Sequence, residues 1–281
     1  MVTYLPCANS SINAGYCKKL TNNTTQLVLK TNVLFFFVFQ ESNEITLEFY
    51  NDSVDDMYSN CKANMETMMF DKYSEELTEK PYGKYWEEEK QNIINDKILT
   101  KMELLAIRVY TENKNNVYSE FNRAVRTGRK IYGTSFEFHN LHFFLTSALQ
   151  KLKETHKGSC YNTYRRSKDT YKLMPNEIRF GSFASSSLTT NQISYGQETC
   201  FKIETCHGAV VEQYSAYPAE REVLIPPYEK FTKVAELRDC FPWDLRLVTG
   251  WPWNKVGSDS GESLLGPFEH KSLFLTEATR F

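Results

Sequence analysis

The apolar period of this chain changes once, near Cys160, and that change limits the folds open to it. Residues 55–153 follow helical spacing. In DKILTKMELLAIRVYT the residues Ile98, Met102, Leu105 and Val109 fall on one helical face, and in FEFHNLHFFLTSALQKLKE the residues Phe138, Leu141, Leu145, Leu149 and Leu152 do the same. EELTEKPYGKYWEEEKQNI is charged and interrupted by Pro81, and Gly158 closes the helical part. After Cys160 the segments EIRFGSFASSSL, TCFKIETC, AVVEQYS and REVLIPP are short, alternating or β-branched, and set apart by Gly, Pro, Ser and Asn. These read as strands. Helices first and strands afterwards predict an α+β fold: a helical half, then an antiparallel or mixed β-half, not a doubly wound sheet.

Three segments follow. Residues 1–45 lack a helical period, are rich in Asn and Thr, and read as a leader or poorly ordered stretch. Within them, VLFFFVF at 33–39 reads either as the apolar region of a leader or as a buried strand. Residues 46–237 form the main domain, mainly helical over 46–157 and mainly β over 158–237. From 238 to 281, where three of the four tryptophans fall among Pro, Gly and Ser, neither period holds, and the stretch reads as an irregular C-terminal appendage.

A net charge of −2 gives no global pull toward nucleic acid or an anionic membrane. No apolar run reaches the length of a membrane span. The seven cysteines contain no CxxC and no cysteine–histidine spacing of a zinc site. They fit buried thiols, and equally an oxidised extracellular protein with about two disulfides. Sequons at Asn9, Asn22, Asn23 and Asn51 lean toward the second. His139 and His142 lie three apart on a helix without a third ligand, so they are read as helix-face residues and no metal is expected.

The chemistry concentrates in AYPAEREVLIPPYEKF, residues 216–231. Side chains two apart on an extended segment share a face, so Glu220 and Glu222 are expected to look into one space, with oxygens roughly 5–7 Å apart. Like charges that close disfavour double ionisation, so one carboxyl is expected to titrate high. Such a pair divides two tasks, one group stabilising positive charge and the other handling a proton. A glycosidase pair is the other chemistry of this kind, but its carboxylates come from different strands. Pro226-Pro227 ends the strand, which puts the pair at a loop-to-scaffold junction. Upstream, CYNTYRRS carries Arg165 and Arg166, a fork suited to phosphate or pyrophosphate. The run Ser185–Ser187 supplies hydroxyls able to orient a neighbouring carboxylate.

Arginine on a strand, then S-x-S, then E-x-E ahead of an apolar strand resembles the R-S-E arrangement of mono-ADP-ribosyltransferases, and most nearly the vertebrate ecto-ADP-ribosyltransferases. RFGSFASSSL, YGQETCFKI, TCHGA and EREVLIPPYEKF resemble that family's blocks in family order, with SVDDMYSNC and FHNLHFFLTSALQ resembling its helical part. The likeness spans about residues 50–237.

That resemblance implies a sandwich-like NAD-binding β-core, with NAD as a substrate bound in a β-cleft. The chain has 12 glycines and no GxGxxG, which argues against a Rossmann site. The resemblance also implies transfer of ADP-ribose to arginine on an acceptor protein, with NAD glycohydrolysis, or a weakly active surface ectodomain used for recognition, as the alternatives. Glu222 matches the catalytic glutamate, Glu220 the acceptor-side glutamate, Ser185 the first serine of S-x-S, and Arg165 the motif arginine that pairs with pyrophosphate. Arg166 stands where the family has glycine, and is expected either to crowd the site or to add a phosphate contact. Tyr217 is a candidate contact to acceptor or nicotinamide, and TTNQISYG (189–196) corresponds to the loop that closes over NAD. Cys160 and Cys206 match the family's disulfide pair. Cys61 matches a cysteine whose partner lies near the C-terminus, a place Cys240 would fill. The implied location is extracellular or in the secretory pathway, with membrane contact only through an anchor or leader.

Overall fold

A computed structural model describes residues 44–79, 82–156, 158–174, 177–237 and 271–277, together with the backbone of four strands ahead of residue 44. The chain divides into two compact units, Met1–Glu44 and Ile45–Phe281. In the first unit β1 (Tyr4–Pro6) pairs with β2 (Tyr16–Lys18), and β3 (Thr25–Lys30) with β4 (Val33–Val38), both antiparallel. Val33–Val38 of the VLFFFVF run is therefore a strand.

A short strand, β5 (Glu44–Leu47), is followed among the described residues of the second unit by five helices: α1 (Lys62–Asp71), α2 (Gly83–Glu89), α3 (Lys101–Glu112), α4 (Val117–Thr127) and α5 (His139–Thr155). The start of α3 is set by a capping box, in which Thr100 Oγ1 accepts from the Glu103 amide and the Glu103 carboxylate accepts from the Thr100 amide at 2.8 Å. Ile98, expected on the helical face, lies ahead of this cap and is exposed, because the cap rather than the apolar period decides where the helix begins. α5 buries twelve of its seventeen residues. It packs against α3 in a cluster that also takes in Phe121, Phe183, Val211 and Leu224. His139 and His142 lie inside this packing. Their rings pair with Glu76 and the Tyr132 carbonyl, and with Tyr58 and the Val54 carbonyl, so both are satisfied helix residues.

The strands that follow are β6 (Tyr161–Ser167), β7 (Thr170–Leu173), β8 (Ala184–Ser187), β9 (Thr199–Thr205), β10 (Ala209–Val210), β11 (Glu222–Ile225), β12 (Phe231–Leu237) and β13 (Lys271–Glu277). Seven of them form one sheet in the order β10-β11-β8-β6-β9-β13-β12, and β7 pairs with β5. The described pairs of the large sheet are antiparallel except β13 with β9, so the sheet is mixed and the fold is α+β. β11 is buried throughout. Its Leu224 joins the helix-side cluster, while Ile225 joins a second cluster with Phe180, Phe201, Phe231, Leu273 and Leu275. That is the alternation a strand with two covered faces requires.

The stretch 238–281, expected to be irregular, contains β13, an interior strand of the sheet. KSLFLTE has strand alternation, and its Leu273 and Leu275 are buried, but it follows a long Gly-, Pro- and Ser-containing run that masks the pattern. Cys160 and Cys206 form a disulfide across the β6–β9 pair. Cys200 is also disulfide-bonded, and Cys61 is a free thiol. Cys240, the partner expected for Cys61, lies outside the described residues.

Candidate active site

The strands bearing the arginine, the serines and the glutamate are neighbours. β11 pairs with β8 over four residues, Leu224 opposite Ser185 and Glu222 opposite Ser187. β6 pairs with β9 over seven residues but meets β8 only at Tyr164–Ser187. The sheet splays at that point, and a cleft of about 830 Å³ opens there. All six residues singled out in the sequence line it: Arg165, Arg166, Ser185, Tyr217, Glu220 and Glu222.

Arg165 donates from Nη1 to the Ser185 carbonyl at 2.6 Å, and the Tyr118 phenol lies beside its guanidinium. The Ser185 side chain lies beside the Glu222 carboxylate and the Tyr110 phenol and lowers the pKa of both. Ser215 Oγ donates to Glu222 Oε2 at 3.3 Å. The other serines serve the backbone: Ser186 Oγ donates to the Val223 carbonyl at 2.9 Å, and Ser187 Oγ to the Glu220 carbonyl at 2.6 Å.

Glu222 is only 5% exposed. Burial pushes its carboxyl up to about 7; the Glu220 charge adds to the rise, while hydrogen bonds from Ser185 and Ser215 and the Arg165 cation oppose it. The expected rise is present, but its main cause is lost solvation rather than repulsion between the pair. The expected geometry also differs. Glu220 ends a single 3₁₀ turn, Pro218–Glu220, Arg221 adopts the left-handed conformation with φ 48°, and the strand begins only at Glu222. The two carboxylates face one cleft because a tight turn folds Glu220 back over it, not because both lie on a pleated strand. Pro218 favours such a turn at its start, and the αL residue lets the chain leave it into β11.

Arg166 is occupied at its own level of the cleft. Its Nε donates to the Thr190 carbonyl at 3.2 Å and its Nη1 to Cys200 Sγ at 3.1 Å. The guanidinium thus braces the 189–196 loop against β6. At Gly196 (φ 127°) a Cβ would lie 2.3 Å from the Lys168 nitrogen, so only glycine lets this loop sit so close to the β6–β7 turn.

Tyr110 and Tyr118, on α3 and α4, complete the floor and were not singled out in the sequence. The available signal was a phenol on a helix face otherwise read as core, since a buried tyrosine needs a polar partner. Ser215, which also supports Glu222, is held through its carbonyl by Arg108 Nη1 at 3.0 Å, and Arg108 is in turn paired with Glu89. Among the described residues no group of three or more His, Cys, Asp or Glu side chains is arranged to hold a metal, and no helix is long and apolar enough to cross a membrane.

An α+β fold whose splayed sheet sets a buried glutamate, a serine and an arginine side by side in one cleft has the build of a transferase cleft for an anionic nucleotide. The sequence matches the family model for NAD:arginine ADP-ribosyltransferase over residues 47–249, and the chain belongs to that family. It is similar to human Ecto-ADP-ribosyltransferase 5, with 32% identity over 76% of this chain and 79% of that protein. It is similar also to the chicken Erythroblast NAD(P)(+)--arginine ADP-ribosyltransferase, with 32% identity over 67% of each. Among solved structures it resembles a variant of the eucaryotic mono-ADP-ribosyltransferase ART2.2 in complex with NADH. That match has a TM-score of 0.64 and 25% identity, over 84% of this chain and 96% of the other.

Proposed function

We propose that the protein transfers ADP-ribose from NAD to arginine side chains of acceptor proteins, with release of nicotinamide. The observation that carries this reading is the convergence of Arg165, Ser185 and Glu222 on one cleft of about 830 Å³, with Arg165 bonded to the Ser185 carbonyl, the Ser185 side chain beside the Glu222 carboxylate, and Glu220 facing the same space. Pockets for ligands of this kind fall in the range of about 300–1,000 Å³. The lining fits the substrate. Arg165 supplies a guanidinium for the pyrophosphate, while Ser185 braces Glu222 and faces the ribose next to nicotinamide. Arg166 contributes charge nearby while holding the loop that would close over the dinucleotide. NAD supplies the glycosidic bond that breaks, and its nicotinamide leaves with the electron pair.

Glu222 does two things in this reading. Its carboxylate accepts from a ribose hydroxyl, and it places negative charge beside the positive charge that grows on the sugar as the bond breaks. A preformed charge in a dry site is worth far more there than in water. Glu220 holds the incoming guanidinium and takes the proton its nitrogen must lose to attack. Arginine is otherwise fully protonated, so this help is required. Tyr217, 49% exposed and lining the cleft, is the candidate contact to the acceptor or nicotinamide in this reading.

The finer assignments form part of the same proposal. Residues 46–237 together with β13 make the catalytic domain, a helical half ahead of a sandwich-like nucleotide-binding core. Two apolar clusters on opposite sides of β11 support the layered reading. The location is extracellular or in the secretory pathway, a reading supported by the Cys160–Cys206 disulfide and by the ecto-enzyme name of the human relative.

The test is product analysis with NAD and a guanidino acceptor. The parent protein is expected to release nicotinamide and label the acceptor. Glu222→Gln should lose both by about 10²–10³-fold or more. Glu220→Gln should fall much further in acceptor labelling than in nicotinamide release. Equal labelling by Glu220→Gln and the parent would refute the assigned division of labour.

A further inference from the structure

Three hydrogen bonds converge on Glu220, and two of them come from the 189–196 loop rather than from its own turn. Tyr195 OH donates to Glu220 Oε1, Gln192 Nε2 donates to the Glu220 carbonyl at 3.3 Å, and Ser187 Oγ donates to that same carbonyl at 2.6 Å. The loop itself is anchored at both ends. Arg166 binds the Thr190 carbonyl, the Glu198 amide donates to the Ser167 carbonyl at 3.1 Å, and Gly196 packs against Ser167 and Lys168. The Tyr195 ring is 50% exposed, so core packing does not account for its position. Its polar end is what it places.

We infer that Tyr195 is a positioning residue for the acceptor: its phenol pins the Glu220 carboxylate in the orientation that receives a guanidinium, so the 189–196 loop governs how transfer competes with hydrolysis. This deepens, and rests on, the proposed transferase reading. The stereochemistry allows it. A carboxylate offers about four lone-pair sites, and a guanidinium fork uses two of them. One phenol on Oε1 leaves room for the fork while removing the freedom of the carboxylate to swing toward solvent. Glu220 needs this support because it ends a single short turn and is followed by a left-handed residue, with no regular strand to fix its side chain. The phenol stays a donor at working pH, since burial and the adjacent Glu220 charge both push its pKa up. A loop whose other duty is to cover the dinucleotide would thereby ready the acceptor carboxylate as well.

Tyr195→Phe removes one oxygen and keeps the ring, and it tests the idea with steady-state kinetics on NAD and agmatine, a small guanidino amine. The KM for agmatine is expected to rise about 5–10-fold, as for one exposed hydrogen bond to a charged group, and the KM for NAD by less than about twofold. At fixed agmatine the ratio of hydrolysis to transfer should rise by the same factor. In a Glu220→Gln background the further change Tyr195→Phe should do nothing to residual transfer. An unchanged agmatine KM, or an equal rise in the KM for NAD, overturns the inference. A second measurement does not require activity. In protein labelled with ¹³C at the tyrosine ζ carbon, the signal lost in Tyr195→Phe should titrate at higher pH in the parent than in Glu220→Gln. Identical titrations overturn the contact. A parent protein that cleaves no NAD refutes the activity reading instead, and the tyrosine titration then still judges Tyr195.

Discussion

Glu222 carries a cost that its neighbours offset only in part. Its carboxyl moves from 4.5 in a solvated chain to about 7 in the fold. The folded protein therefore binds that proton more tightly than the unfolded chain does. Below about pH 4.5 both states are protonated and the site costs nothing. Between 4.5 and 7 stability is lost as pH rises, and above 7 the loss levels at roughly 3 kcal/mol. Glu222→Gln removes the charge but keeps the shape. At pH 8 the variant is expected to melt about 5–10 °C above the parent, and at pH 5 the gap should nearly close. Thermal unfolding at the two values checks this, and a gap independent of pH would mean that burial of the charge is not its source. The sequence made the residue visible but not the reason for its perturbation. An acidic pair is legible in a string, whereas the burial of Glu222 exists only once β11 is covered on both faces by segments distant in sequence.

At the scale of elements, the cleft exists because β6 keeps long register with β9 and leaves β8 after one pair. The Cys160–Cys206 disulfide joins the start of β6 to the end of β9, beside the Tyr161–Thr205 pair. Its sequence separation of 46 residues makes its loop-closure contribution about 4 kcal/mol in the chain-entropy model. Replacing both cysteines with serine is expected to lower stability by about that amount, read from the urea midpoint. Because Arg165 lies five residues along β6, NAD binding should weaken in the same variant. A loss below about 1 kcal/mol would show the register to be held by the ladder alone. These elements were largely legible. The alternation in TCFKIETC and EVLI gave β9 and β11, and the 3.6-residue period gave α5. The 3₁₀ turn at Pro218–Glu220 was not, because a two-residue spacing before an apolar run reads as strand until the left-handed Arg221 is seen.

For the whole molecule, the decisive correction is β13. It lies between β9 and β12, parallel to one and antiparallel to the other, and so bridges the β6–β9 half of the site to the far strand of the sheet. Its Leu273 and Leu275 enter the same cluster as Phe201 and Ile225, residues of the strands on either side of the cleft. A sequence reading tied to proximity missed this. A Gly-, Pro- and Ser-containing run separates β13 from β12, and its other partner, β9, lies further away still in sequence. Removing side chains there tests whether the segment belongs to the core. Leu275→Ala is expected to cost about 2–5 kcal/mol, the range for a fully buried leucine, whereas Val234→Ala on the exposed face of β12 should stay within about 0.5 kcal/mol. Urea unfolding separates the two outcomes. Equal costs would mean that β13 adds hydrogen bonds to β9 and β12 without closing the core. A large cost for Leu275→Ala alone makes the distant segment part of what holds β9, and through β9 the register of β6 and the position of Arg165.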